Sequence, residues 1–114
     1  RVAVLALGLF LAACVTHERA THSAGDRGRE IAEANCLSCH AIGVAGESPA
    51  PEAPPFRHLS RNYRVDALEE ALAEGISVGH PAMPEFQFAP DEVAALVQYL
   101  QSIQSEEPPE RADR

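Results

Sequence analysis

Cys36-Leu37-Ser38-Cys39-His40 places two thiols three residues apart, with an imidazole directly after the second. That is the spacing for covalent attachment of a c-type haem. Each sulfur can add to one vinyl group of a porphyrin. The adjacent imidazole then lies against one face of the ring and can ligate its iron. His80-Pro81-Ala82-Met83-Pro84 follows later in the chain, and Met83 is its only methionine. A thioether sulfur is a good sixth ligand for haem iron, and a His/Met pair raises the reduction potential.

Other chemistries fit these residues less well. A C-x-x-C pair can be a thioredoxin-type redox site or half of a zinc site. The redox site expects a βαβ context, and the sequence shows no strand alternation. The zinc site needs two further ligands, and there is no second C-x-x-C. Methionine is most often ordinary core packing. Met83, however, stands between Pro81 and Pro84 in a stretch with no helical period. Prolines stiffen the backbone, and a stiff loop can hold a soft, weak ligand against iron. His80 and His58 compete with Met83 for that position; His17 and His22 read as solvated.

These groups must be positioned by a small frame. The 114 residues make one domain, expected over 26–104. Residues 2–13 are an unbroken apolar run, too short to span a bilayer but of the length of a secretory h-region. Residues 1–13 are therefore expected to be a leader. The run ends Leu11-Ala12-Ala13-Cys14, which is similar to a bacterial lipobox, so Cys14 is the expected lipidation site. An ordinary signal cut after Ala13 is the alternative. Residues 14–25 then form an anchor and polar tether, and residues 105–114 a charged tail. An exported chain suits c-type haem, which is attached outside the bacterial cytoplasm. It also leaves Cys14 as an odd thiol unless it is modified.

Within the domain a first helix is expected over 26–35. Residues 46–55 hold four prolines and must loop. Asp66-Ala67-Leu68-Glu69 resembles a capping box, and Gly75 is a natural stop, which predicts a helix over 66–74. Pro90-Asp91-Glu92 opens a third helix. Its apolar face is Val93, Leu96, Val97, Leu100 and Ile103.

The formal net charge is −8, and all nine cations are arginine. That excludes nucleic-acid binding as an expectation and suits partners with basic docking patches. With no tryptophan and few aromatics, a domain this small is marginal unless something else supplies apolar core. A covalently held haem would.

Residues 26–103 resemble the small monohaem class I cytochromes c. The resemblance implies an all-α fold, with three main helices and long loops around one covalently attached haem c. It makes Gly28, eight residues before Cys36, the point where the first and last helices cross, with Tyr99 as the aromatic beside it. The family usually has an aromatic four residues after that glycine; here Ala32 stands there, with Ile31 next to it. It implies a proline carbonyl that accepts the second imidazole proton of His40; Pro54 is similar in position, with Pro55 the alternative. Arg57, Arg61, Tyr63 and Arg64 cluster after that proline as candidate donors to the haem propionates. Phe56, Leu59, Leu68, Leu72, Ile76, Phe86, Leu96 and Leu100 are candidates for the apolar wall.

The implied function is one-electron transfer with His40/Met83 ligation on the periplasmic side of the bacterial envelope. Both axial positions are filled, so the chain is expected to be a carrier and not an enzyme. Its partners are redox proteins docking at the ring edge near the cysteines. Two other readings remain: a haem subunit of a dehydrogenase or oxidase complex, and a five-coordinate haem that binds gases or acts in catalysis.

Overall fold

The computed structural model describes residues 23–75 and 82–105. The expected leader and tether up to His22 lie outside these, as do Cys14, His17, Ile76, His80 and the tail beyond Ser105. Among the described residues there is no strand. The described residues form three α-helices: α1 over Ala24–Asn35, α2 over Leu68–Glu74 and α3 over Pro90–Ser102. Two short 3-10 helices, Phe56–Arg61 and Val65–Ala67, lie in the connection between α1 and α2. No described helix is long and apolar enough to cross a membrane.

The start of α1 is earlier than the sequence reading placed it. Ser23 is the N-cap, its hydroxyl accepting from the Asp26 N–H while the Asp26 carboxylate accepts from the Ser23 N–H. That reciprocal pair satisfies two of the donors a helix start leaves open. The expected cap at Asp66 is corrected as well. No side chain caps α2, which is preceded by the 3-10 turn Val65–Ala67. Arg64 takes the Asp66 carboxylate as an exposed ion pair, and its guanidinium holds that carboxyl below its ordinary range. Gly75 does end α2, with φ +73° in the left-handed region that favours glycine.

α1 crosses α3 at Gly28. A Cβ built there would lie 2.0 Å from the Ala95 carbonyl oxygen and 2.7 Å from Tyr99 Cβ. Only a residue without a side chain permits this approach. Beside the crossing, Ala32 is fully buried and Ile31 packs partly against the core. Arg27 and Asp91 form an exposed ion pair at 3.0 Å, near the N-terminal ends of both helices. Pro90 sits in the first turn of α3, and the Glu92 carboxylate accepts from the Ala89 N–H at 3.1 Å. Val93 and Leu96 of α3 are the largest fully buried side chains, and Leu96 lies in one cluster with Ile42, Phe56, Leu59, Val65, Tyr99, Leu100 and Ile103.

Gly28→Ala is therefore expected to force the helices apart. Overpacking of this kind costs about 3 kcal/mol, which is roughly a 10–20 °C fall in Tm for a domain of this size. Thermal unfolding of the haem-bearing protein measures it. A Tm within a degree or two of the wild type would show that the crossing yields without strain.

Candidate functional site

α1 runs directly into the cysteine pair. Cys36 is its C-cap, with its N–H on the Ala32 carbonyl at 2.8 Å. The Cys36 carbonyl accepts from the N–H groups of both Cys39 and His40, at 3.1 and 2.9 Å. The motif is thus one tight turn, with both sulfurs and the imidazole brought to the end of a rigid helix. Cys36 and Cys39 are unpaired thiols, each half-buried. Burial pushes the Cys36 thiol up to about 11, with neighbouring Cys39 adding to the shift. A thiol that resists ionisation at neutral pH is the reverse of a thioredoxin-type nucleophile, whose pKa is lowered. No cluster of three or more metal-ligating side chains occurs among the described residues, so nothing completes a zinc site there.

The imidazole of His40 is held by its Nδ1. The Pro54 carbonyl lies 2.8 Å away, and since a carbonyl can only accept, Nδ1 carries the proton. The neighbouring Pro55 carbonyl is taken by the His58 N–H at 2.9 Å, so of the two prolines it is Pro54 that meets the histidine. Phe56 lies against the same imidazole, with ring centroids 4.8 Å apart. Nε2 is thereby the nitrogen left with a lone pair, and its direction is fixed.

The chain after His40 is moored by residues from three other segments. Ala41 donates its N–H to the Ser48 hydroxyl at 3.0 Å and accepts from the Phe56 N–H at 2.9 Å. The Ala50 N–H bonds the Cys39 carbonyl at 3.1 Å, which folds the Pro-rich loop back over the motif. From α3, the buried Tyr99 hydroxyl donates to the Ile42 carbonyl at 2.9 Å. Tyr99 was legible as an aromatic at the helix crossing; its hydroxyl's task was not, because the partner is distant in sequence.

Met83 is half-buried in the loop that leads from α2 to α3. That loop is tied back by the Phe88 N–H on the Leu72 carbonyl at 3.2 Å, and Phe86 stacks on Phe88 at 5.6 Å. Among the candidate wall residues, Phe56, Leu59, Leu96 and Leu100 are buried together, and Leu68 and Leu72 pack partly against them. Ile103, from the expected apolar face of α3, joins them, as do Ile42, Val65 and Phe88, which no sequence signal marked. The candidate propionate donors differ in their partners. Arg57 donates to the Gly46 carbonyl at 2.7 Å, Arg64 is paired with Asp66, and Arg61 and Tyr63 are exposed. Leu37, inside the motif, and Val44, just after it, are large apolar side chains left 49% and 74% exposed.

Residues 23–100 match the model of the family described as cytochrome C oxidase, cbb3-type, subunit III. The chain belongs to this family of cytochrome c domains. This cytochrome is 32% identical over 78 residues to the cytochrome c-553-like protein of Synechocystis sp., covering 68% of each chain. It is 27% identical over 95 residues to cytochrome c-552 of Bradyrhizobium diazoefficiens, covering 83% of this chain and 89% of the relative. No solved structure matches the cytochrome at a comparable level. Membership brings one covalently attached haem c, and with it electron transfer between redox partner proteins. The residues present suit that group: two unpaired thiols on one turn, an imidazole with a fixed free nitrogen, and half-buried apolar side chains around it.

Proposed function

We propose that Cys36 and Cys39 hold the haem through thioethers, that His40 Nε2 and Met83 Sδ fill the two axial positions, and that the chain carries single electrons in the bacterial envelope. The observation that carries this reading is the 2.8 Å bond from His40 Nδ1 to the Pro54 carbonyl. An imidazole with its second nitrogen fixed in this way is a pre-oriented and more basic metal ligand. The haem supplies an iron that gains and loses one electron. The chain's own residues set how readily it does so. Phe56, Leu68, Leu72 and Phe88 exclude water from the ring, and a dry site favours the less charged reduced iron. Arg61, the last residue of the 3-10 helix, and Tyr63, two residues after it, are exposed donors for the propionates, and Arg57 has N–H groups to spare after its bond to Gly46. With both axial positions filled by protein, no site remains for a substrate, so the chain is a carrier. Leu37 and Val44 give the partner an apolar contact near the cysteines.

The chain is held at the periplasmic side of the membrane by acyl chains on Cys14. Two or more such chains anchor stably where one is marginal, and the tether then keeps the carrier close to membrane-bound partners. Intact mass of the mature protein under denaturing conditions tests both bonds at once. The expected chain begins at Cys14 and is heavier by one haem and by the acyl groups. A mass without haem would sink the thioether assignment; a mass with haem but no lipid would sink only the anchor.

The matched family's description as an oxidase subunit favours one second reading, in which this chain relays electrons inside a larger complex. Stable co-purification with a catalytic chain separates that role from a free carrier.

A further inference from the structure

We infer that Gln104 is a positioning residue for the axial histidine: by donating to the Phe56 carbonyl it sets the His40–Pro54 hydrogen bond, and through it the reduction potential. The inference rests on His40 being the iron ligand. Gln104 follows directly on the C-cap of α3 and uses both ends of its amide. Its Nε2 donates to the Leu100 carbonyl at 2.7 Å and to the Phe56 carbonyl at 2.8 Å, while its Oε1 accepts from the Ser60 N–H at 2.8 Å. The first bond fixes the side chain to one of the carbonyls that a helix end leaves open. The other two reach back to the 3-10 helix Phe56–Arg61. Ser105 adds a third mooring, its N–H on the Arg57 carbonyl at 2.9 Å.

Phe56 is the residue through which this hold reaches the histidine. Its N–H bonds the Ala41 carbonyl, next to His40, at 2.9 Å, and its ring lies 4.8 Å from the imidazole. Its carbonyl is the atom that Gln104 holds. Between Phe56 and the Pro54 carbonyl stands Pro55, whose ring locks φ. Few soft torsions remain to absorb a displacement, so a shift of the Phe56 carbonyl is passed to the Pro54 carbonyl that orients His40. A longer Nδ1–H···O=C bond makes the imidazole a weaker electron donor. The ferric state then loses more stabilisation than the ferrous state, and the potential rises.

Two variants of the full-length haem protein test this. Gln104→Met keeps the shape of the stem and removes all three hydrogen bonds. Gln104→Glu keeps an acceptor for Ser60 and removes both donors, setting a carboxylate against two carbonyls. The measurements are the potential and the solvent exchange of the His40 Nδ1–H, followed by its proton resonance in the paramagnetic ferric protein. Gln104→Met, which adds no charge, is expected to raise the potential, and both variants are expected to speed this exchange about tenfold, the change that follows from weakening one hydrogen bond, while amides in the middle of α1 keep their rates. Wild-type exchange and potential in both variants would overturn the inference. So would an equal acceleration throughout α1, which is the mark of general destabilisation. A wild-type exchange rate in Gln104→Glu alone would overturn it too, since the Ser60 bond would then suffice. If the wild-type protein shows no iron-shifted His40 ring proton, the axial assignment itself falls, and the inference with it.

Discussion

A chain carrying Cys36→Ser together with Cys39→Ala is expected to hold no haem through denaturation and to accumulate several-fold less folded protein than the wild type. Both effects have the same origin. The two thiols are the only cysteines between Cys14 and the end of the chain, and a thioether needs a sulfur that serine and alanine lack. Cys36 is also packed partly against the apolar cluster, alongside Leu68, Leu72 and Phe88. Without a haem against them these half-buried side chains remain facing water. Burial of one such side chain is worth about 1.5–3 kcal/mol, a large part of the total for a small domain. Losses of 1–2 kcal/mol already change abundance several-fold in cells. A haem stain of a denaturing gel and the yield of soluble protein check the two halves. Wild-type staining in the double variant would show that another group carries the covalent bond.

Met83→Ala is expected to leave the haem attached and to open the sixth coordination position. The soft thioether favours ferrous iron. Its replacement by water favours ferric iron, so the potential should fall, by on the order of a hundred millivolts or more given how widely axial ligands move it. The ferrous form should then bind carbon monoxide readily, and the weak ferric band from the sulfur–iron bond should vanish. The change should spare the fold, because Met83 is only half-buried and the loop beyond it is tied to α2 through Phe88 and Leu72. An unchanged spectrum and potential would hand the sixth position to another residue, with His80 the first candidate.

The two variants probe features of different legibility. Cys36, Cys39 and His40 are neighbours in sequence, so their chemistry depends on spacing alone and can be read before any fold is known. The periodic face of α3 is equally local: Val93, Leu96, Val97, Leu100 and Ile103 are all buried, and Ala95 and Tyr99 are buried beside them. Local reading failed where two local partners competed for one group. Asp66 could cap α2 or pair with Arg64, and the charged partner two residues away took it. At α1 the signal was present and missed: Ser23 three residues before Asp26 is itself a capping-box spacing.

The sequence alone determined the reactive turn, the helical class and the length of the last helix's apolar face, because each follows from groups within a few bonds or one helical turn of one another. Which groups finally meet across the chain was decided only by tertiary structure. The family resemblance marks Gly28 as the helix crossing, but the contact that requires a glycine there, with the Ala95 carbonyl, comes from another helix. The family resemblance points to Pro54 with its neighbour Pro55 as the alternative, and the docking of the loop decided that Pro54 faces His40 while Pro55 binds His58. Tyr99 and Gln104 are an aromatic and a polar residue near the end of a helix. Their hydrogen bonds to Ile42 and Phe56 exist because packing α3 on α1 brings carbonyls from distant segments within reach. Such bonds leave no periodic trace, since each is satisfied once, by one donor, at a place fixed by how the helices dock.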